Sequence, residues 1–323
     1  MAVPLLLTGP SMAFVRDQLD ARFEIHDLHA AEDKDALLDA VGPTIRAVAT
    51  AGSAGVGADL MRRLPNLEIV AHFGVGYDPV DVGHAASAGV VVTNTPDVLT
   101  DEVADTAMGL LLMTVRELSA AERWVRAGNW ETKGAYRLTR GSLTGRRLGI
   151  FGLGRIGKAI ARRAEAFGLS IAYHNRRPVA DVAYPYHDTL VGLAAAVDTL
   201  MVVAPGGPGT RHAVNAAVLE ALGPDGVLVN VGRGSVVDEA ALVAALERGA
   251  LLGAGLDVFE AEPRVHPGLM TRDDVVLLPH VGSASIPTRQ AMGQVQVDNL
   301  AAWFDGKPPL TPVPETPVPA GRG

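Results

Sequence analysis

Residues 145–177, GRRLGIFGLGRIGKAIARRAEAFGLSIAYHNRR, constrain what this chain can fold into more than any other stretch. The apolar run 148–151 reads as a buried strand. Gly152-Leu153-Gly154-Arg155-Ile156-Gly157 then turns the chain into a helix over 158–167, before a second strand at 170–174. Strand, glycine-rich turn, helix and strand in this order make a βαβ dinucleotide fingerprint in its proper context. Gly152 permits the tight turn, Gly154 lets the backbone approach a pyrophosphate, and Gly157 lets helix and strand pack closely. The helix N-terminus then faces the anion with its free N–H groups and its dipole.

The end of the second strand bears on which dinucleotide is bound. An NAD site carries an acidic residue about 20 residues beyond the glycines, where it bonds the ribose 2′-hydroxyl. Here that place holds Asn175, Arg176 and Arg177. No carboxylate repels a 2′-phosphate, and two guanidiniums offer planar forked donors to one, so NADP(H) is expected over NAD(H). Arg146-Arg147 and Arg162-Arg163 show that arginine pairs also occur without this meaning, so the argument rests on position.

The 323 residues suggest about two domains, and 48% hydrophobic residues supply two cores. A net charge of −8, from 36 acidic and 28 basic residues, argues against a nucleic-acid surface or a polybasic membrane patch. Without cysteine there is no disulfide framework, thiolate metal site or cysteine nucleophile, and no metal is expected. The opening MAVPLLLTGPS lacks a basic n-region and no later run is long and apolar enough to span a bilayer, which points to a cytoplasmic protein.

From the N-terminus, strand patterns at 3–7, 23–28, 45–51, 67–73 and 90–93 alternate with helical ones, including 34–41, 58–64 and 80–88. This alternation predicts a parallel, doubly wound sheet. Residues 1–99 lack a glycine-rich phosphate loop and read as a substrate or lid domain. Within them Phe73-Gly74-Val75-Gly76-Tyr77-Asp78 lies just past a strand, where two glycines leave N–H groups for an anion; a simple turn fits equally. Thr100, ahead of Asp101 and Glu102, caps a helix predicted to run to about residue 127. Its first half is apolar on nearly every face, which suggests burial between domains or against a second subunit, hence a homodimer. Residues 128–140 read as a loop whose aromatics pack. Further strands at 199–204, 227–231, 253–256 and 275–278 and helices near 213–222 and 239–248 extend the cofactor domain from 100 to 287. A helix at 288–304 crosses back to the first domain, which thus comprises 1–99 plus 288–323. The proline-rich end, KPPLTPVPETPVPAGRG, reads as extended or disordered.

Three strand ends carry polar residues that packing does not require: Arg233 in NVGRG, Glu262 in EAEP and His280 in LPHVGS. The carboxyl ends of parallel strands share one edge, so all three can converge on the nicotinamide side of the cleft. Reducing a 2-keto acid needs a cation for the carboxylate, a donor to the carbonyl oxygen and a proton for the charge that develops there. Arg233 suits the first two tasks and His280 the last, with Glu262 orienting the imidazole and keeping it protonated near neutral pH. His266, ahead of Pro267, competes but has no strand behind it.

With Val75-Gly76-Tyr77-Asp78, the 152–157 fingerprint, NVGRGSVVD (230–238), GLDVFEAEP (255–263) and PHVGS (279–283) in order, the chain resembles the D-isomer-specific 2-hydroxyacid dehydrogenases, and among them the glyoxylate/hydroxypyruvate reductases. The resemblance implies two doubly wound α/β domains, a Rossmann cofactor domain inserted in a flavodoxin-like substrate domain. It implies catalysis by Arg233, Glu262 and His280, with Val75-Gly76 as a backbone clamp for the substrate carboxylate. It places Asp257 beside the nicotinamide amide, and Arg155, Ile156, Thr106, Pro205, Val231 and Gly282 against the cofactor. It also implies dimers formed through the helix after the first domain. The NAD-linked or phosphite dehydrogenases of the same fold are the enzyme alternative, separated by cofactor preference. Likeness to C-terminal-binding corepressors gives a non-enzyme alternative, separated by turnover.

Overall fold

Four of the five strands in the N-terminal sheet carry apolar residues on both faces, and this sets the architecture of the first unit. The computed structural model describes residues 2–52, 54–316 and 318. Strands β1 (Val3–Leu7), β2 (Phe23–Asp27), β3 (Ala47–Ala49), β4 (Ile69–Ala71) and β5 (Val91–Thr93) pair in parallel in the order β2-β1-β3-β4-β5. Leu6, Val48, Val70 and Val92 are in register and face one core; Leu5, Leu7, Ala47, Ala49, Ile69, Ala71 and Val91 face another. Such a sheet must be covered on both sides, which is why its strands read as unbroken apolar runs. Each fully buried Val or Leu contributes roughly 1.5–3 kcal/mol.

The first unit comprises residues up to Leu99 and those from Ser285 onward. Its helices are α1 (Ala13–Asp20), α2 (Lys34–Val41), α3 (Ala58–Arg62), α4 (Val82–Ser87) and, from the far end of the chain, α13 (Ile286–Phe304). Ser285 caps α13 by accepting the Thr288 N–H, and α13 packs on α1 and β4. Beyond it the chain lies along β5: Val313 N–H donates to Val92 O and the Thr316 hydroxyl oxygen accepts the Val92 N–H. The expected extended tail is therefore an ordered edge segment as far as Thr316. Pro317 and residues 319–323, which belong to the same sequence reading, lie outside the described residues.

The second unit, Thr100–Ala284, contains β6 (Arg147–Phe151), β7 (Ser170–His174), β8 (Thr199–Val202), β9 (Val227–Asn230), β10 (Gly253–Leu256) and β11 (Val275–Leu277) in the order β11-β10-β9-β8-β6-β7. A single parallel bridge, Tyr173 to Tyr186, extends the β7 edge and completes a Rossmann strand order. Helices α5 (Thr100–Val115), α6 (Leu118–Arg126), α7 (Asn129–Lys133), α8 (Arg155–Ala166), α9 (Leu190–Ala196), α10 (Ala216–Leu222), α11 (Glu239–Glu247) and α12 (Pro267–Met270) accompany it.

Three readings of this unit need correction. The helix expected to continue from Thr100 to about residue 127 breaks at Glu117, which is left-handed (φ 51°) between α5 and α6. Its carboxylate accepts the Tyr136 hydroxyl at 2.9 Å and pairs with Arg137, tertiary contacts that override helix propensity. The segment read as a loop at 128–140 contains α7, and Trp130, expected to pack, is 64% exposed. The apolar faces of α5 pack on α8, β9 and β10 within its own unit, so its composition alone carries no argument for a second subunit.

Candidate active site

At the carboxyl end of β6, Gly152 adopts φ 103°, and a Cβ there would meet Ala204 N at 2.6 Å. A Cβ on Gly157 would meet Gly152 O at 2.5 Å, whereas one on Gly154 would meet open space. Gly154 is the N-cap of α8 and supplies no side chain to it. A turn with glycine at 152 and 154 and the Leu153 side chain turned into the core, ahead of a helix start that no side chain caps, fits a dinucleotide pyrophosphate. Strand order reverses between β6 and its neighbours β7 and β8, the switch point where open α/β sheets bind ligands.

Asn175 bonds back to this turn, its Oδ1 accepting the Leu153 N–H at 2.7 Å. Arg176 and Arg177 follow it, both exposed, and neither forms a hydrogen bond or ion pair among the described residues. Arg155 and Ile156 open α8, while Pro205 and Val231 follow the ends of β8 and β9. Thr106 on α5 places its hydroxyl 3.5 Å from Gly282 O, a long hydrogen bond.

Arg233, Glu262 and His280 follow β9, β10 and β11, three neighbouring strands of one parallel sheet. Glu262 Oε2 lies 2.8 Å from His280 Nδ1, and Glu262 Oε1 accepts the Phe259 N–H at 3.0 Å. Burial pushes the Glu262 carboxyl up. The His280 hydrogen bond, the Phe259 N–H and the charges of His280 and Arg233 outweigh it and hold the group below its ordinary value. Arg233 donates through Nη1 to Gly232 O at 2.9 Å. The His280 and Glu262 side chains are 46% and 32% exposed, so the pair is open to a ligand.

His280 has φ 54°, unfavourable for a residue with a Cβ. The neighbouring bonds hold it there: His280 N–H donates to Asp257 O at 2.8 Å, and the Asp257 carboxylate accepts Val281 N–H and Gly282 N–H at 2.7 and 2.8 Å. Burial raises the Asp257 carboxyl above its usual range in spite of these two bonds. Asp257, singled out from the sequence for the cofactor, is thus in this structure the anchor of the loop that carries His280. His266 takes no part in the pair; it caps α12 by accepting the Gly268 N–H.

Sequence reasoning missed several supporting residues. Buried Glu239 accepts the Glu260 N–H at 2.6 Å and so ties down the loop bearing Glu262, while Glu260 Oε1 lies 2.5 Å from His212 Nε2. In the first unit, the Val75-Gly76 turn has its carbonyls held in succession. Thr95 N–H donates to Gly74 O (2.9 Å), Asn94 Nδ2 donates to Val75 O (2.8 Å) and His72 Nε2 donates to Gly76 O (3.0 Å). The other nitrogen of buried His72 accepts the Thr50 hydroxyl at 2.9 Å, which fixes the tautomer. C=O and N–H of one trans peptide point opposite ways, so pinning Gly74 O and Val75 O orients the amides of Val75 and Gly76 together. Asn94 and Thr95 sit just past β5, and a polar pair at a strand end was the available signal.

A fold of two doubly wound sheets, with a glycine turn at one switch point and an Arg, Glu and His on neighbouring strand ends, defines a dinucleotide-linked oxidoreductase. Residues 108–282 match the family model for the D-isomer specific 2-hydroxyacid dehydrogenase, NAD binding domain, and the chain belongs to that family. It is 56% identical to the NADPH-dependent glyoxylate/hydroxypyruvate reductase of Sinorhizobium meliloti, whose structure with NADP and malonate superposes with a TM-score of 0.93 over 98% of each chain. It is 47% identical to glyoxylate/hydroxypyruvate reductase A HPR2 of Arabidopsis thaliana, over 97% of this chain and 99% of that one. Hydroxyphenylpyruvate reductase of Plectranthus scutellarioides is 46% identical, again over 97% of this chain and 99% of the other.

Proposed function

We propose that this protein reduces glyoxylate and hydroxypyruvate to D-2-hydroxy acids at the expense of NADPH. The observation that carries the chemistry is the Glu262–His280 pair, 2.8 Å apart at strand ends beyond a glycine-rich turn of the same unit. When bound, the reduced nicotinamide supplies the hydride. The turn at Gly152 and Gly154 would hold the pyrophosphate, with Gly157 letting α8 pack close behind it and Arg155, Ile156, Thr106, Pro205, Val231 and Gly282 around the dinucleotide. Asn175 sets the turn, and Arg176 with Arg177 takes the 2′-phosphate. The NADP-bound relative at 56% identity supports this preference.

Arg233 binds the substrate carboxylate bidentately and polarises the carbonyl. His280 gives its proton to the oxygen as negative charge develops there, so that C=O becomes C–OH, and Glu262, 2.8 Å from Nδ1, holds the imidazole in place. The amides of Val75 and Gly76 are assigned to the carboxylate as well. Among the described residues no helix is long and apolar enough to cross a membrane.

We also propose a homodimer, with Leu118, Val125 and Trp130, which stand exposed on α6 and α7, as the buried face. Light scattering at twice the 33.6 kDa chain mass supports it, and a 33.6 kDa particle contradicts it.

Replacing His280 with Asn tests the chemistry. The general acid is lost, and turnover is expected to fall by about 10²–10⁴-fold with NADPH affinity unchanged. A variant as fast as the parent removes His280 as the proton donor.

A further inference from the structure

The proline-rich segment after α13 lies beside the Val75-Gly76 turn. Pro312 and Pro314 restrict φ and remove two backbone donors, which favours an extended chain before it docks. The N–H groups between them are used: Thr311 N–H donates to Asn299 Oδ1 at 3.0 Å and Val313 N–H to Val92 O at 2.9 Å. A segment with so few donors closes the β5 edge without presenting a new one, and Val313 is buried by it. Closing the edge does not account for the polar chain alongside. Asn299 on α13 is fully buried and donates through Nδ2 to the Thr311 hydroxyl oxygen at 2.8 Å. That hydroxyl donates to Asn94 O at 2.6 Å, Thr311 O accepts the Asn94 N–H at 3.2 Å, and Asn94 Nδ2 donates to Val75 O at 2.8 Å. Beyond the turn, the Tyr77 hydroxyl donates to Glu315 Oε2 at 3.1 Å.

We propose that Thr311 and Glu315 are positioning residues which set the two ends of the Val75-Gly76 turn, so that this segment fixes how the substrate carboxylate is held; the inference rests on Val75-Gly76 binding that carboxylate. Packing alone gives no reason for a buried amide at Asn299, where an apolar side chain would cost no desolvation. The amide is satisfied by Thr311, and through it the α13 helix is joined to Asn94. Asn94 can orient Val75 O only as firmly as its own backbone is held, and Thr311 holds both its N–H and its C=O. Glu315 does the same for the far end by taking the hydroxyl of Tyr77, the residue after Gly76. Both residues act through others. Every 2-keto acid carries the carboxylate, so a loosened turn weakens all such substrates in the same ratio and leaves the cofactor alone.

The test measures kcat and KM for glyoxylate, hydroxypyruvate and NADPH in the parent, Thr311→Val, Thr311→Ser and Glu315→Ala. Thr311→Val removes the hydroxyl and keeps the backbone bonds. KM for both acids is expected to rise by about fivefold in the same ratio, with kcat and KM for NADPH changed by less than about twofold. Thr311→Ser restores a hydroxyl and is expected to return KM to within about twofold of the parent. Glu315 is exposed, so its replacement by Ala spares the fold, and KM for both acids is expected to rise by about two- to threefold. Unchanged KM in Thr311→Val and Glu315→Ala overturns the proposal. So does a loss that Thr311→Ser fails to recover, or one that falls equally on NADPH. If Thr311→Val does not fold, Glu315→Ala decides. Val75→Pro, which removes one amide of the turn, separates the two readings. Unchanged KM for both acids in that variant refutes the clamp itself, whereas a raised KM there with none in the Thr311 and Glu315 variants refutes only their role. Should the parent reduce neither acid, the same comparison is read from the dissociation constant of oxalate, by calorimetry on the NADP-loaded protein, with the same outcomes.

Discussion

Replacing Asn94 with Ala removes one side-chain amide and leaves the backbone around it anchored, because Asn94 N–H still donates to Thr311 O and Asn94 O still accepts the Thr311 hydroxyl. What is lost is the 2.8 Å bond to Val75 O, which fixes the peptide bearing the Gly76 N–H. A hydrogen bond of this kind contributes about 1 kcal/mol net, and the partly buried carbonyl left behind adds a similar cost. If the binding-competent orientation falls to about a tenth of the population, apparent substrate affinity falls about tenfold. Steady-state assays at saturating NADPH should therefore show KM for glyoxylate raised by about tenfold, kcat lowered less, and KM for NADPH unchanged. Thermal melting should drop by only about 2–4 °C per kcal/mol lost, so the variant remains folded during the assay. A folded variant whose KM for glyoxylate stays within about twofold of the parent would refute the idea that Asn94 orients the clamp.

Arg233→Ala should raise KM for 2-keto acids and depress kcat together, because one guanidinium is assigned both carboxylate binding and carbonyl polarisation; unchanged kinetics dismiss that assignment. Glu262→Gln removes the charge of the group that holds the His280 imidazole, so kcat should fall with KM for NADPH little changed; a variant as fast as the parent removes Glu262 from that role. The same pair bears on stability. Burial works against the Glu262 charge, but its partners hold the carboxyl below its ordinary value. Its contribution is therefore complete above the ordinary carboxylate range and is lost as pH falls through the depressed value. Replacing Arg176 and Arg177 together with Ala should raise KM for NADPH by about tenfold or more with KM for NADH little changed; equal effects on both cofactors contradict a 2′-phosphate site.

The alternating strands and helices were legible because both faces of each parallel sheet are covered, which forces apolar runs such as Val227–Asn230 that need no tertiary knowledge to recognise. The readings at β3 and β4 ran two residues too far at each end, whereas the one at β5 differs by a single residue at its start. The break at Glu117 was not legible: its left-handed backbone is fixed by Tyr136 and Arg137, about twenty residues away. α9 was missed because its sequence, LVGLAAA, is apolar throughout and carries no stripe to mark a helix. Arg233, Glu262 and His280 stood out as polar residues at strand ends. Glu239, Asn94 and His72 did not, because each acts on backbone atoms, and backbone partners leave no pattern in a sequence.

The most direct test of the central claim is the rate of NADPH and of NADH oxidation by the unmodified protein with glyoxylate and with hydroxypyruvate, each as kcat/KM. The account predicts turnover of both acids, with NADPH preferred by about tenfold or more over NADH. Absence of turnover with either cofactor would contradict it.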